Sequence, residues 1–310
     1  MRFAVVGSGA VGAYYGALLV KAGFDVHFLF NSDYHHVKAH GLEVTSPHGD
    51  FSLANVNAYQ STKDMPEVDV VILALKTTHN HLLQDLLTPL FKYSPAILVL
   101  QNGLGVDSDV AKVTSANTNE LTIYGGLCFL CSNKIGPGKI KHVDYGKITL
   151  GQYYSSDIPA GITEPLKILS ENLNKAGIET ALSEDIVLAR WQKLMWNMPF
   201  NGLCTLRDTT TDNIVGTDET RAIASQVMDE VIVAAAAYGK VITAEFKEHM
   251  FFLTDNMGVY MPSMYLDYQN KRPMEVEEIY WRPIKVAEAK GIAMPVATSI
   301  AKELDRLNKL

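Results

Sequence analysis

Apolar positions fall along the chain in two styles. Over the first 180 or so residues, short continuous runs occur at 3–6, 25–30, 68–75 and 96–100, and each stops at a glycine or a polar residue. Runs of that length and content read as strands buried on both faces of a parallel sheet. Between the first two lies a small-residue helical stretch, 13–21, closed by Gly23 in a C-cap position. Residues 121–131 read as another buried strand, and 140–152 alternate and carry turn glycines, as short antiparallel strands do. An amphipathic helix over 166–176 and a last strand over 178–182 follow. Ser183, with Glu184 and Asp185 behind it, is a good helix start. Beyond it strand-like runs largely vanish, and helices are predicted over 186–206, 222–238, 244–253, 263–270, 275–290 and 296–310, with Pro283 kinking or dividing the fifth. The expected organisation is an α/β domain over 1–183 and an all-α domain over 184–310, with no internal repeat.

The first of these units carries a motif in its required setting. A strand, a turn Gly7-Ser8-Gly9-Ala10-Val11-Gly12, a helix and a second strand fit within about thirty residues. In such a GxGxxG turn the first glycine permits the tight bend, the second lets backbone approach a pyrophosphate, and the third lets helix and strand pack closely. The helix start supplies amides and positive dipole to the phosphates. A Rossmann-type dinucleotide-binding domain is therefore predicted. After the second strand an acid usually meets a free ribose 2′-hydroxyl. Here Asn31 and Ser32 come first and Asp33 arrives late, with Lys38 nearby. That pattern favours the 2′-phosphorylated cofactor, NADP, although no arginine is present to clamp it. Ligands in open α/β sheets bind beyond the carboxyl ends of the strands. Lys76 and Asn102 stand at that edge, each also explicable as an ordinary residue after a strand or before a glycine.

In the helical half, Lys193, Asn197 and Asn201 recur every four residues inside the apolar run of Leu194, Met195, Trp196, Met198 and Phe200. A four-residue step on an α-helix drifts by only about 40°, so one ammonium and two amides share a stripe. The stripe either faces water or lines a cleft that receives a polar ligand. Pro199 lies within it and is expected to bend it. Ser263 begins a predicted helix, where a hydroxyl caps amides and also suits a carboxylate. Glu275, Glu277 and Glu278 fall in the first turn of the next helix, which favours acids in any case.

Composition removes several alternatives. A net charge of −7 leaves no basic footprint for nucleic acid or an anionic membrane. No apolar run approaches the length of a membrane span, and the N-terminal run is too short for a signal-peptide core, so a cytoplasmic location is the default expectation. Cys128 and Cys131 form a CxxC, but three residues along a strand place them on opposite faces, and no second ligand pair accompanies them. They read as packing residues. The nine histidines show no metal-ligand spacing, and no metal is expected. The apolar face at 227–237 suits either a homodimer contact or the core.

Taken together, Gly7 to Gly12, Leu75-Lys76, Gln101-Asn102-Gly103-Leu104-Gly105, Lys193 with Asn197 and Asn201, and Ser263 followed by Glu275 resemble the ketopantoate reductase (2-dehydropantoate 2-reductase) family over nearly the whole chain. The resemblance implies a Rossmann domain and a helical domain with the active site between them, and NADPH-dependent reduction of 2-dehydropantoate to pantoate, a coenzyme A precursor. It places Lys193 as catalytic general acid, with Glu275 beside it and the nicotinamide end. Asn197, Asn201 and Ser263 fall at substrate contacts, and Asn102 at both substrate and cofactor. Gly7, Ser8, Gly9, Ala10, Val11, Gly12, Asn31, Ser32, Lys76 and Glu275 fall on the cofactor side. Three positions depart from the family pattern: Asn31 replaces a phosphate-gripping arginine, a substrate-side asparagine aligns near Thr211, and Tyr280-Trp281 replaces an Asn-Gly pair. The last two suggest a different side chain on the 2-oxo acid. Competing expectations are reduction of another branched 2-oxo acid and a dinucleotide sensor that has lost catalysis.

Overall fold

The first thirty residues form β1 (Arg2–Val6), α1 (Ala10–Lys21) and β2 (Asp25–Leu29), with β1 and β2 parallel and adjacent. They begin a computed structural model that describes residues 1–117 and 121–309. It divides into two units, Met1–Gln101 with Val106–Ile186, and Asn102–Gly105 with Val187–Leu310.

In the first unit, α2 (Tyr34–His40) leads to β3 (Leu42–Thr45), β4 (Phe51–Leu53) and β5 (Asn57–Tyr59). Then come β6 (Val70–Leu73), α3 (Leu83–Leu87), β7 (Ala96–Val99), α4 (Val106–Ser115), β8 (Ile123–Gly136), β9 (Lys139–Tyr153), α5 (Glu164–Lys175) and β10 (Thr180–Leu182). All ten strands join one mixed sheet in the order β4-β3-β9-β8-β7-β6-β1-β2-β5, with β10 on β9. From β5 to β8 neighbours are parallel, whereas β8 and β9 form a long antiparallel hairpin with three register shifts. Bulges of this kind bend a strand and sharpen its twist. The bent sheet surrounds α1. Tyr14 Oη lies 3.0 Å from His142 Nδ1 on β9, Tyr15 Oη donates to the Gly146 carbonyl, and a Cβ on Gly16 would meet the Phe28 ring of β2 at 2.3 Å. A helix enclosed on this many sides must be apolar nearly all round, which is why α1 reads as small and aromatic residues rather than as an amphipathic stripe.

The second unit contains α6 (Ile186–Trp196), α7 (Gly202–Leu206), α8 (Thr211–Val215), α9 (Asp218–Ala236), α10 (Ala244–Asn256), α11 (Ser263–Gln269), α12 (Arg282–Glu288) and α13 (Pro295–Leu307). Its core gathers Trp191, Leu194, Met195, Met198 and Phe200 with Val227, Met228, Val231, Ala234 and Ala235 of α9. The apolar face at 227–237, offered above as a dimer contact or core, is therefore largely core. The predicted helix over 186–206 is broken by one π-helical turn, Asn197–Asn201, and that over 275–290 by another, Glu277–Trp281. The first turn contains Pro199, and the second ends two residues before Pro283. Pro199 and Pro283 have no amide for an i→i−4 bond, and a locally wider turn accommodates that loss. Residue 310 of the last predicted helix lies outside the described residues. Strands β3 to β5 and helix α8 were not predicted, because they are too short for their periodicity to stand out. None of the helices is long and apolar enough to cross a membrane among the described residues.

Candidate functional site

In the first unit the glycine turn is shaped by close backbone contacts. Gly7 adopts φ +101°, and a Cβ there would lie 2.4 Å from Leu75 N, at the end of β6. A Cβ on Gly12 would lie 2.3 Å from the Gly7 carbonyl. These two glycines serve the protein's own packing. Gly9 differs, because a Cβ there would meet nothing within 4 Å, so the absent side chain leaves the approach to the start of α1 open. The first amides of a helix have no partner within it, and Gly9 as N-cap supplies no side chain to bond them. Ser8 Oγ is buried with no protein partner. An orphaned hydroxyl, open amides and a helix start together fit a pyrophosphate. Ala10 and Val11 open the helix behind the turn.

Asn31 and Ser32 are exposed beyond β2. Ser32 Oγ donates to Asp33 Oδ1 at 3.0 Å, and Asp33, 5% exposed, also accepts from Lys134 Nζ at 2.8 Å and from the Gly138 amide at 3.2 Å. Burial alone would raise the Asp33 carboxyl, but these donors together outweigh it and hold it below the usual range. Lys76 is exposed at the end of β6, and Gln101, buried beyond β7, donates to the Leu75 carbonyl and to Asn80 Oδ1. Sequence reasoning missed Lys134 and noted Asp33 only as a late acid. Gln101 was visible only as the residue before Asn102.

Asn102 belongs to the second unit. Its neighbour Gly103, at φ +92°, packs so closely that a Cβ would meet Glu278 Cβ and backbone at 2.5 to 2.7 Å. Leu104 N–H donates to the Glu278 carbonyl at 3.0 Å, and Arg190 Nη1 donates to the Gly103 carbonyl at 3.4 Å. Glu278 thus has a packing role that the sequence only hinted at, and it sits one turn past the buried Glu275.

Lys193 lies half-buried in the last turn of α6, and Asn197 and Asn201 open and close the π-helical turn, both buried. Four residues overshoot a full α-turn but fall short of a π-turn, which closes on i→i+5 bonds. The drift from Lys193 to Asn197 is therefore partly reversed from Asn197 to Asn201, and the three residues stay closer to one line than a straight helix allows. Asn201 Oδ1 accepts the Met264 amide at 3.2 Å. That bond brings the stripe to the start of α11, beside Ser263. The structure thus brings together Asn201 with Ser263, and Asn102 with the segment that carries Glu275.

Two residues linked above to substrate choice have other surroundings. Thr211 is fully buried, and its amide and hydroxyl both donate to the Tyr260 carbonyl. Tyr280 is fully buried in the core, where its hydroxyl donates to the Met198 carbonyl, and burial raises its phenol well above the ordinary range. Trp281 Nε1 donates to Asp305 at 2.8 Å. Tyr280 and Thr211 are thus packing residues held by backbone carbonyls. Cys128 and Cys131 are half-buried, less enclosed than expected, Cys204 is buried, and none of the three is in a disulfide. No group of His, Cys, Asp or Glu among the described residues has the arrangement of a metal site.

A family model described as ketopantoate reductase PanE/ApbA matches residues 3–155, and the model of its C-terminal part matches residues 185–308. A 2-dehydropantoate 2-reductase of a Nostoc species is 45% identical over 307 residues, covering 99% of this chain and 95% of the relative. The crystal structure of a 2-dehydropantoate 2-reductase from Geobacter metallireducens superposes with a TM-score of 0.92 at 38% identity, covering 99% of each chain. D-mandelate dehydrogenase, solved with NADH and anilino(oxo)acetate, shares the fold at a TM-score of 0.89 and 23% identity, covering 100% of this chain and 99% of the other.

Proposed function

The chain belongs to the ketopantoate reductase family, whose members are NADPH-dependent oxidoreductases acting on CH–OH groups, and from that premise we propose that it reduces 2-dehydropantoate to pantoate. In this proposal the first unit binds NADPH through Gly7 to Gly12, Asn31, Ser32 and Lys76. Asn102 and Glu275 meet the nicotinamide end, and the second unit supplies the substrate and catalytic groups. A biosynthetic reduction of this kind belongs in the cytoplasm, with a small 2-oxo acid as partner.

The bound cofactor supplies the hydride that adds to C2 of the 2-oxo acid. Negative charge grows on the former carbonyl oxygen, where the Lys193 ammonium stabilises it and donates the proton that completes the alcohol. Glu275 favours the charged form of that lysine. Asn197 and Asn201 donate hydrogen bonds without adding charge. Because Oδ1 of Asn201 is committed to Met264, its Nδ2 is the donor assigned to substrate. The Ser263 hydroxyl binds the carboxylate.

The observation that carries the assignment is the polar line of Lys193, Asn197 and Asn201, set into an apolar core and fastened next to Ser263. Buried amides and a half-buried ammonium are costly in such a core without a polar purpose. The test is a panel of 2-oxo acids assayed with NADPH and NADH by loss of reduced-cofactor absorbance. Preference for 2-dehydropantoate is expected. Equal or better turnover of another branched 2-oxo acid overturns the substrate assignment, and no oxidation with any acid moves the chain to the sensor class. Lys193→Ala is expected to lower turnover by about 10² to 10⁴ while retaining NADPH binding. Unchanged turnover removes Lys193 from its role.

A further inference from the structure

Asn31 stands where an acid reads a ribose 2′-hydroxyl or an arginine accommodates a 2′-phosphate. The nearest acid in sequence, Asp33, is the N-cap of α2, yet its carboxylate makes no bond to that helix's amides. It turns to the β8–β9 hairpin and accepts from Lys134 and Gly138. An acid held in this way, buried and facing an ammonium, is poorly placed to bind a ribose.

The cation comes from β8, and its path locates it. Between its register shifts the strand pairs regularly, Ser132 opposite His142 and Lys134 opposite Ile140, so Ser132 and Lys134 face the same side. Ser132 Oγ donates to the Ala10 carbonyl, inside the glycine turn, at 3.3 Å. Two residues on, Lys134 Nζ reaches the loop after β2. One face of β8 therefore runs from the segment that cradles a pyrophosphate to the segment that meets the adenosine ribose. The ammonium has three hydrogens, of which Asp33 takes one, and the Lys134 side chain keeps 34% of its surface exposed.

We propose that Lys134 is the specificity-determining cation for the 2′-phosphate of NADPH in this chain, held in place by Asp33, whose own charge it offsets. The proposal rests on the NADPH-dependent function above and assigns to the hairpin a role left open by the missing arginine. Asp33 stays ionised at neutral pH, since its carboxyl is held low, so the pair persists under working conditions. The shape of the fold alone does not set this preference, because a protein with the same fold was solved with NADH.

The test is equilibrium binding to the full-length protein with no 2-oxo acid present, so that failure of the substrate assignment leaves it unaffected. NADPH and NADH are titrated by reduced-nicotinamide fluorescence, with adenosine 2′,5′-bisphosphate and 5′-AMP as competitors. Lys134→Ala is expected to weaken NADPH and the bisphosphate by about ten- to a hundredfold, the worth of a charge-assisted bond to phosphate, and to leave NADH and 5′-AMP unchanged. Lys134→Arg is expected to restore NADPH. Equal weakening of both dinucleotides indicates a merely structural pair and overturns the proposal, as does unaltered NADPH affinity in Lys134→Ala. A wild-type protein that binds both dinucleotides alike overturns it as well.

Discussion

At Asn201 the side-chain oxygen accepts the Met264 amide within surroundings that leave the residue 1% exposed. Replacing it by alanine leaves that amide without its acceptor, a loss of about 1–3 kcal/mol, in addition to any loss of substrate binding. Asn201→Ala is therefore expected to lower the thermal midpoint and raise KM together, read by melting curves and steady-state kinetics. Lys193→Ala should lower turnover with little change in melting, because its half-buried position in the last turn of α6 makes it less integral to the core. Cys204 is a different kind of buried residue. Burial, helped by nearby Asp212, pushes its thiol up to about 12, so it stays protonated at ordinary pH. At about pH 8, close to the unperturbed thiol value, a disulfide reagent is expected to modify Cys128 and Cys131 in the native protein and Cys204 only after denaturation. Rapid native reaction at Cys204 would contradict that burial.

The two π-helical turns are joined through Tyr280 and Met198, and Gly202 makes the contact sterically feasible. A Cβ on Gly202 would lie 2.0 Å from Tyr280 Oη and 2.6 Å from Ile300. The positions were not legible as a pair. A glycine opening a short apolar helix and a tyrosine 78 residues later have no shared periodicity, and only the fold brings them together. Gly202→Ala is expected to destabilise by about 1–3 kcal/mol through overpacking. Tyr280→Phe in that background should recover part of the loss, since removing the hydroxyl clears the nearest clash. A double-mutant cycle in denaturant measures the coupling, and strictly additive effects would dismiss it. The same turns explain why helix prediction from period alone gave two continuous helices. Proline announced an interruption, but its form depends on i→i+5 bonds that no sequence period displays.

Across the whole molecule, legibility tracked how local the determining interactions are. The strand–glycine turn–helix opening was readable because Gly7, Gly9 and Gly12 act within a few residues of one another. The change from mixed α/β to helical structure was readable from where strand-like apolar runs give way to helical ones. The wrapping of the sheet around α1 was not, because it depends on β8 and β9, over a hundred residues away, closing on Tyr14 and Tyr15. Nor was the ion pair of Asp33 with Lys134, which a sequence shows only as a late acid and an unremarkable lysine. The polar line at Lys193 was visible as spacing, while its alignment owes something to a turn geometry that spacing misjudged.

The segment Asn102–Gly105 packs with the helices although α4, which follows it, belongs with the sheet. The helical unit is consequently not one stretch of gene. No single cut separates the chain into two complete pieces, since a fragment beginning at Val187 lacks the backbone that Arg190 and Glu278 hold. During synthesis those four residues leave the ribosome long before their helices exist, so the second unit completes its packing only when that early segment joins helices made much later. Exchange of this helical half between relatives must carry that tetrapeptide with it.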